Sequence, residues 1–179
     1  MRVVHNGLCF MGPPCNSWVI ASQSYYKRSS RRPRGDIRNP DVLKFNAIAD
    51  FVANLVDLCV FLGVYFVIEQ PLSSLLFAYP SIARALAEAG AHRVVVWLGK
   101  FGADTPKPLA LWGTAPWLTE LAYIDSTLPQ LAQGTLCDTD SSSGFTGRRD
   151  GMAESALYPA RFCRLVARLQ SEHTKPAGL

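Results

Sequence analysis

The chain has only three histidines, His5, His92 and His173, and they stand far apart. Five cysteines accompany them, and no two share the short spacing of a zinc site, so no metal centre is expected. The cysteines are odd in number, and Cys9, Cys59 and Cys163 sit in apolar surroundings. That usage reads as reduced thiols in an intracellular compartment, nuclear in a eukaryote, rather than as a disulfide framework. Long hydrophobic runs are also missing. The longest apolar stretch, Val52 to Ile68, is broken by Asn54, Asp57 and Gly63. A membrane span needs roughly 20 uninterrupted apolar residues, so no membrane partner is expected. Met1 to Asn6 lacks the apolar core of a signal peptide.

What is present suits one folded domain over residues 1–179. The hydrophobic fraction is 49% and the charged fraction 18%, enough for a buried core at this length. The net charge of +4 is unevenly spread. Lys27, Arg28, Arg31, Arg32, Arg34 and Arg38 crowd into twelve residues among Ser29, Ser30, Pro33 and Gly35. Residues 23–38 therefore read as a mobile basic loop. It is either a solvated loop, a localisation signal, or a phosphate contact made through guanidinium groups.

Apolar periodicity alternates between strand and helix. Leu8 to Met11 reads as the end of a buried strand, because Pro13 and Pro14 fix φ and remove backbone donors. Asn39-Pro40-Asp41 opens a helix whose apolar positions continue to Leu62, with Gly63 as its stop. Val64 to Ile68 is β-branched and aromatic, hence a strand. Leu72 to Ala89 is helical with a restart at Pro80, and Arg93 to Leu98 is the next strand. Only Gly99 to Lys107 separates it from Leu109 to Trp112, too little for a crossover helix, so these two strands form an antiparallel hairpin. A short helix is expected over Ala115 to Ala122, a surface loop over 125–152, and a final helix from about Tyr158 to Glu172. The fold class is α/β, a mostly parallel sheet with an antiparallel hairpin at one end and flanking helices.

Two chemistry-bearing residues stand at strand ends in this scheme. Cys15 follows Gly12-Pro13-Pro14, and Glu69 closes Val67-Ile68-Glu69-Gln70-Pro71. Open α/β sheets bind ligands at the carboxyl edge of their strands. A thiol there, once ionised, is suited to a reversible covalent adduct with a flat ring. The basic segment nearby is expected to lower the pKa of Cys15 and make it the most reactive thiol. Each residue also has a plainer reading, as an inert turn cysteine and as a structural carboxylate.

Gly-Pro-Pro-Cys, the basic segment, a helix, a strand ending in Glu69-Gln70-Pro71 and a hairpin together resemble the cytosine-5 DNA methyltransferases. In that family a Pro-Cys motif carries the nucleophile, and a Glu-Asn motif carries the acid that holds a flipped base. Phe101-Gly102 followed by Lys107 is similar to the family's later Tyr-Gly segment. The resemblance spans most of residues 7 to 171. It implies a partial Rossmann-like fold and S-adenosylmethionine as cofactor. Cys15 and Glu69 would be catalytic, with Pro14, Gln70, Pro71 and Lys107 at the substrate. Lys27, Arg28, Arg31, Arg32 and Arg34 would lie on the DNA backbone.

The chain departs from the family at several positions. It has no Phe-x-Gly-x-Gly cofactor loop, since Gly7 and Gly12 are wrongly spaced. Thr105 and Leu109 replace the Gln and second Arg of a later motif, and Lys107 replaces its first Arg. The expectation is a methyltransferase fragment or one half of a split enzyme, inactive alone, with DNA and a cofactor-binding second chain as partners. A non-catalytic relative that binds nucleic acid or a partner protein is the alternative.

Overall fold

The structure is a computed structural model, and it describes residues 5–129, 137–140, 144–147 and 157–174. The first apolar run forms β1 (Leu8–Met11) and stops before Pro13. A seven-residue helix α1 (Ile20–Tyr26) follows, then the long α2 (Pro40–Phe61). Asn39 caps α2 by accepting from the Asp41 N–H at 2.9 Å, with Pro40 in the first turn. Strand β2 (Tyr65–Pro71) is buried along almost its whole length. A short 3₁₀ turn (Leu75–Ala78) leads into α3 (Pro80–Glu88), which starts at the proline where the sequence predicts a restart. Then come β3 (His92–Trp97), a second 3₁₀ turn (Leu98–Phe101) and β4 (Pro108–Gly113). Helices α4 (Leu118–Thr127) and α5 (Ala160–Thr174) complete the main body.

The sheet is mixed rather than mostly parallel, which corrects the expectation. Its order is β1-β2-β4-β3. Only β1 and β2 pair in parallel, whereas β4 runs antiparallel to both β2 and β3. The expected hairpin is present, but β4 folds back inside it and lies between β2 and β3. Burial explains why. Leu109, Ala110 and Leu111 are all buried, the continuous pattern of an interior strand. β3 alternates, with Val94 and Val96 inward and Arg93 and Trp97 exposed, which suits an edge. At the end of β4, Gly113 passes so close to β2 that a Cβ there would meet the Phe66 carbonyl oxygen at 2.0 Å. Helices cover both faces. α2 and α3 pack with Phe66 and Ile68 on one face, while α4 and α5 pack with Val67, Leu109 and Leu111 on the other.

Residues 125–152 were expected as surface loop. Their first part is the last turn of α4, and strands β5 (Cys137–Asp140) and β6 (Gly144–Gly147) pair antiparallel as a separate small sheet. The rest of that stretch lies outside the described residues. Among the described residues no helix is long and apolar enough to cross a membrane.

The basic segment differs most from its expectation. Its first residues form the last turn of α1, and Lys27 takes a left-handed conformation at the helix end. Arg28 is 3% exposed. Its guanidinium lies 3.7 Å over the Trp18 ring and donates to Ser17 Oγ at 2.8 Å and to Asn46 Oδ1 at 2.9 Å. A third bond goes to the Pro33 carbonyl. Burial pulls its pKa down to about 10. Arg28 is therefore a structural cation, not a phosphate contact. Arg28→Met should remove the donors of three acceptors and lower the unfolding free energy by about 2–4 kcal/mol. Urea denaturation measures this; a change below ~0.5 kcal/mol would contradict the structural role.

Candidate active site

The parallel pairing of β1 with β2 sets the site. Register places Met11 beside Ile68, so β1 stops where β2 runs on through Glu69, Gln70 and Pro71, and the Gly12–Cys15 turn emerges beside those residues. Cys15, Pro14, Glu69, Gln70, Pro71 and Lys107 all line one cleft of about 400 Å³. These are the residues the sequence marks at the nucleophile and substrate positions. The basic residues Lys27, Arg28, Arg31, Arg32 and Arg34 do not line it. A larger apolar groove of about 560 Å³ runs between β1 and α5 past Leu8, Phe10, Phe162 and Val166. It offers no carboxyl group, whereas the smaller cleft sets a carboxyl and a thiol in its wall.

Each element of the cleft is held by a named contact. Pro13 and Pro14 carry the chain out of β1, and the Cys15 carbonyl accepts from the Trp18 N–H at 2.8 Å. That turn anchors on Trp18, which is buried against Tyr79. Gln70 is 1% exposed and spans the two motifs. Its amide nitrogen donates to the Pro13 carbonyl, and its amide oxygen accepts from Ser74 Oγ at 2.9 Å. The Gln70 side chain ties the cysteine turn to β2 and positions it. Pro71 pairs with Leu109 in the β2–β4 ladder, so it closes the strand beside the cleft. Lys107 has a positive φ of 34° just before β4 and acts electrostatically on both Cys15 and Glu69.

Sequence reasoning missed Tyr158. Its hydroxyl donates to Glu69 Oε2 at 2.6 Å, across 89 positions of chain. Gly12 makes room for this bond. A Cβ at Gly12 would stand 2.9 Å from the Tyr158 hydroxyl oxygen and 3.4 Å from Glu69 Oε2. Tyr158-Pro159 is visible in the sequence only as a helix start, and nothing local ties it to Glu69.

The electrostatics follow from burial. Glu69 is 8% exposed, and desolvation holds its pKa above the ordinary carboxylate value. The Tyr158 hydrogen bond and the Lys107 charge pull the other way. Cys15 is also raised, first by burial and then by the Glu69 charge, with its own backbone hydrogen bond and Lys107 opposing. The expectation of a lowered thiol pKa is thus overturned. The free cleft holds a thiol, while Cys163 lies exposed on α5. Cys59, buried beside Cys9, is pushed up to about 12.

Among the described residues no cluster of three or more histidine, cysteine, aspartate or glutamate side chains is placed to hold a metal. No protein-family model matches the chain, and no curated protein matches it.

Two substitutions test this arrangement. Tyr158→Phe removes a bond to the charged carboxylate, so the Glu69 pKa should rise further in a carboxyl-carbon NMR titration; a fall would contradict the assignment. Glu69→Gln removes a negative charge beside the thiol, so Cys15 should alkylate with iodoacetamide about three- to tenfold faster at pH 8. An unchanged rate would separate the two side chains electrostatically.

Proposed function

We propose that this chain is the catalytic half of a cytosine-5 methyltransferase-like domain with a partial Rossmann-like fold. Its cleft forms a covalent adduct between Cys15 and a flipped pyrimidine. The observation that carries this reading is the buried Glu69 carboxyl, raised in pKa and sharing one cleft with the thiol that follows β1.

The chemistry follows from those two groups. A flat cytosine entering the cleft excludes water from Glu69, whose carboxylate takes up a proton from solvent and donates it to ring nitrogen 3. The Cys15 thiol gives its proton to water, and its sulfur bonds carbon 6. The π pair of the 5,6 bond moves toward carbon 5 and nitrogen 3, where the Glu69 proton neutralises it. Glu69 is left as a carboxylate that Tyr158 stabilises through its hydroxyl. After the proton reaches the ring the adduct is neutral, Cys15 is a thioether, and the one negative charge rests on the Glu69 carboxylate, which the Lys107 charge favours. The target base has to leave its stack to reach the thiol, which only an extruded or unpaired nucleotide does.

S-adenosylmethionine is implied by the resemblance, but the residues present do not fit it. The sequence holds no Phe-x-Gly-x-Gly loop, and Gly12 is committed to the close approach of Tyr158. Docking of a cofactor-binding half, joined to this chain or separate from it, is supported by the sheet edge. Among the described residues β1 has a single neighbour, β2. Its residues Leu8, Cys9, Phe10 and Met11 are apolar on both faces, with none of the charges or prolines that guard free edges.

DNA carrying cytosine tritiated at carbon 5 tests the adduct without a cofactor. Addition of Cys15 lets carbon 5 take a proton from water, and elimination then releases tritium. Slow release that disappears in Cys15→Ser and falls at least tenfold in Glu69→Gln is expected. Release that survives Cys15→Ser would overturn the proposal. Methyl transfer from S-adenosylmethionine by this chain alone should be absent; robust transfer would show that the cofactor site was misjudged.

A further inference from the structure

We infer that Arg161, Arg164 and Arg168 on α5 form a second phosphate-binding face, whose ligand is the nucleic-acid backbone beside the base held in the Cys15–Glu69 cleft. This inference rests on the nucleic-acid reading above.

The three arginines fall at i, i+3 and i+7 and share one side of α5. With Phe101, Ile124 and Leu128 they line a pocket of about 300 Å³. Among the described residues its charge has little internal compensation: the one ion pair these arginines make is Arg168 to Glu172 at 3.8 Å, with both side chains about half exposed. The first turn of α5 carries no acid, so Arg161 stands where the helix dipole disfavours a cation. Arg161 and Arg164, three residues apart, also repel each other. Both acids on α4 face other groups: Glu120 lies 3.2 Å from His173, and Asp125 is committed to the end of β3. Asp125 is buried, accepts from the Trp97 N–H at 2.8 Å and pairs with Lys100 at 3.1 Å. Three like charges gathered around an apolar floor favour a polyanion with less polar parts between its charges, which describes a sugar–phosphate chain.

Position links this face to the cleft. Phe101 follows the carboxyl end of β3, and Asp125 ties the end of α4 to that same strand end. The arginine pocket and the cleft therefore open on one rim of the sheet. Arg161 lies three residues beyond Tyr158, which holds Glu69. On the opposite layer, Arg31, Arg32 and Arg34 are exposed, with Arg34 5.5 Å over the Tyr79 ring. One arginine group stands on each helical layer, and the cleft lies between them.

The experiment measures binding of the full chain to a fluorescent 20-base-pair duplex with one unpaired cytosine, at several salt concentrations. Each neutralised phosphate contributes about 0.9 to the slope of log affinity against log salt. The triple variant Arg161→Gln, Arg164→Gln, Arg168→Gln should lose about 2–3 from that slope and weaken binding at least tenfold at 100 mM salt. The triple Arg→Lys variant should restore the slope, which a merely structural role would not predict. An unchanged slope in the glutamine variant, with wild-type binding intact, would overturn this face and leave the cleft reading standing. Absence of wild-type binding at 50 mM salt would overturn the nucleic-acid reading as well. Sodium pyrophosphate titrated by calorimetry distinguishes the other source of phosphate. Micromolar binding lost in the glutamine variant, with the duplex slope unchanged, would assign the face to free phosphate and overturn the proposal.

Discussion

A carboxyl group buried at the end of a strand is the constraint on which the rest of this molecule turns. Taking Glu69 out of water disfavours its charge, and the fold offsets that cost with one short hydrogen bond from Tyr158. Position 12, bare of a side chain, leaves room for that bond, and the chain entering α5 brings Tyr158 back to β2. Gln70, the next residue, grips the Pro13 carbonyl and so couples the cysteine turn to the same strand. Cys15 and Glu69 are thereby held by each other's neighbours, and movement of either motif disturbs both.

The cations are divided between structure and surface. Arg28 is consumed inside the fold by Trp18, Ser17 and Asn46. Asp36 accepts from Lys27 and Arg38, which hold its carboxyl well below the ordinary carboxylate range. Half of the six cations in the 27–38 segment thus have partners within it or beneath it. Arg31, Arg32 and Arg34 remain exposed. The charge that an anionic ligand would meet is accordingly spread around the rim of the sheet rather than gathered in one loop.

Much of this was legible where physics acts locally. Pro13 and Pro14 end a strand, Asn39-Pro40 starts a helix, and ten residues between β3 and β4 force a hairpin. The cleft residues follow, because parallel strands deliver their carboxyl ends to one edge. Sheet order was not legible, since placing β4 between β2 and β3 depends on which strand buries both faces against distant helices. Tyr158 and Arg28 were missed for the same reason. Their partners lie 89 residues away in one case and, for Asn46, 18 residues away in the other, and no local pattern encodes them. The thiol pKa was misread because net charge in sequence says nothing about desolvation.

The most direct measurement of the central claim is covalent capture of the thiol by a base that needs no cofactor. An oligonucleotide carrying 2-pyrimidinone at the target position presents a ring that adds thiolates at carbon 6 more readily than cytosine does. After incubation with the full chain, intact-mass spectrometry and peptide mapping locate the adduct. The account predicts one adduct, on Cys15, absent in Cys15→Ser and formed at least tenfold more slowly in Glu69→Gln. An adduct on exposed Cys163 with Cys15 unmodified, or a Cys15 adduct indifferent to Glu69, would contradict it.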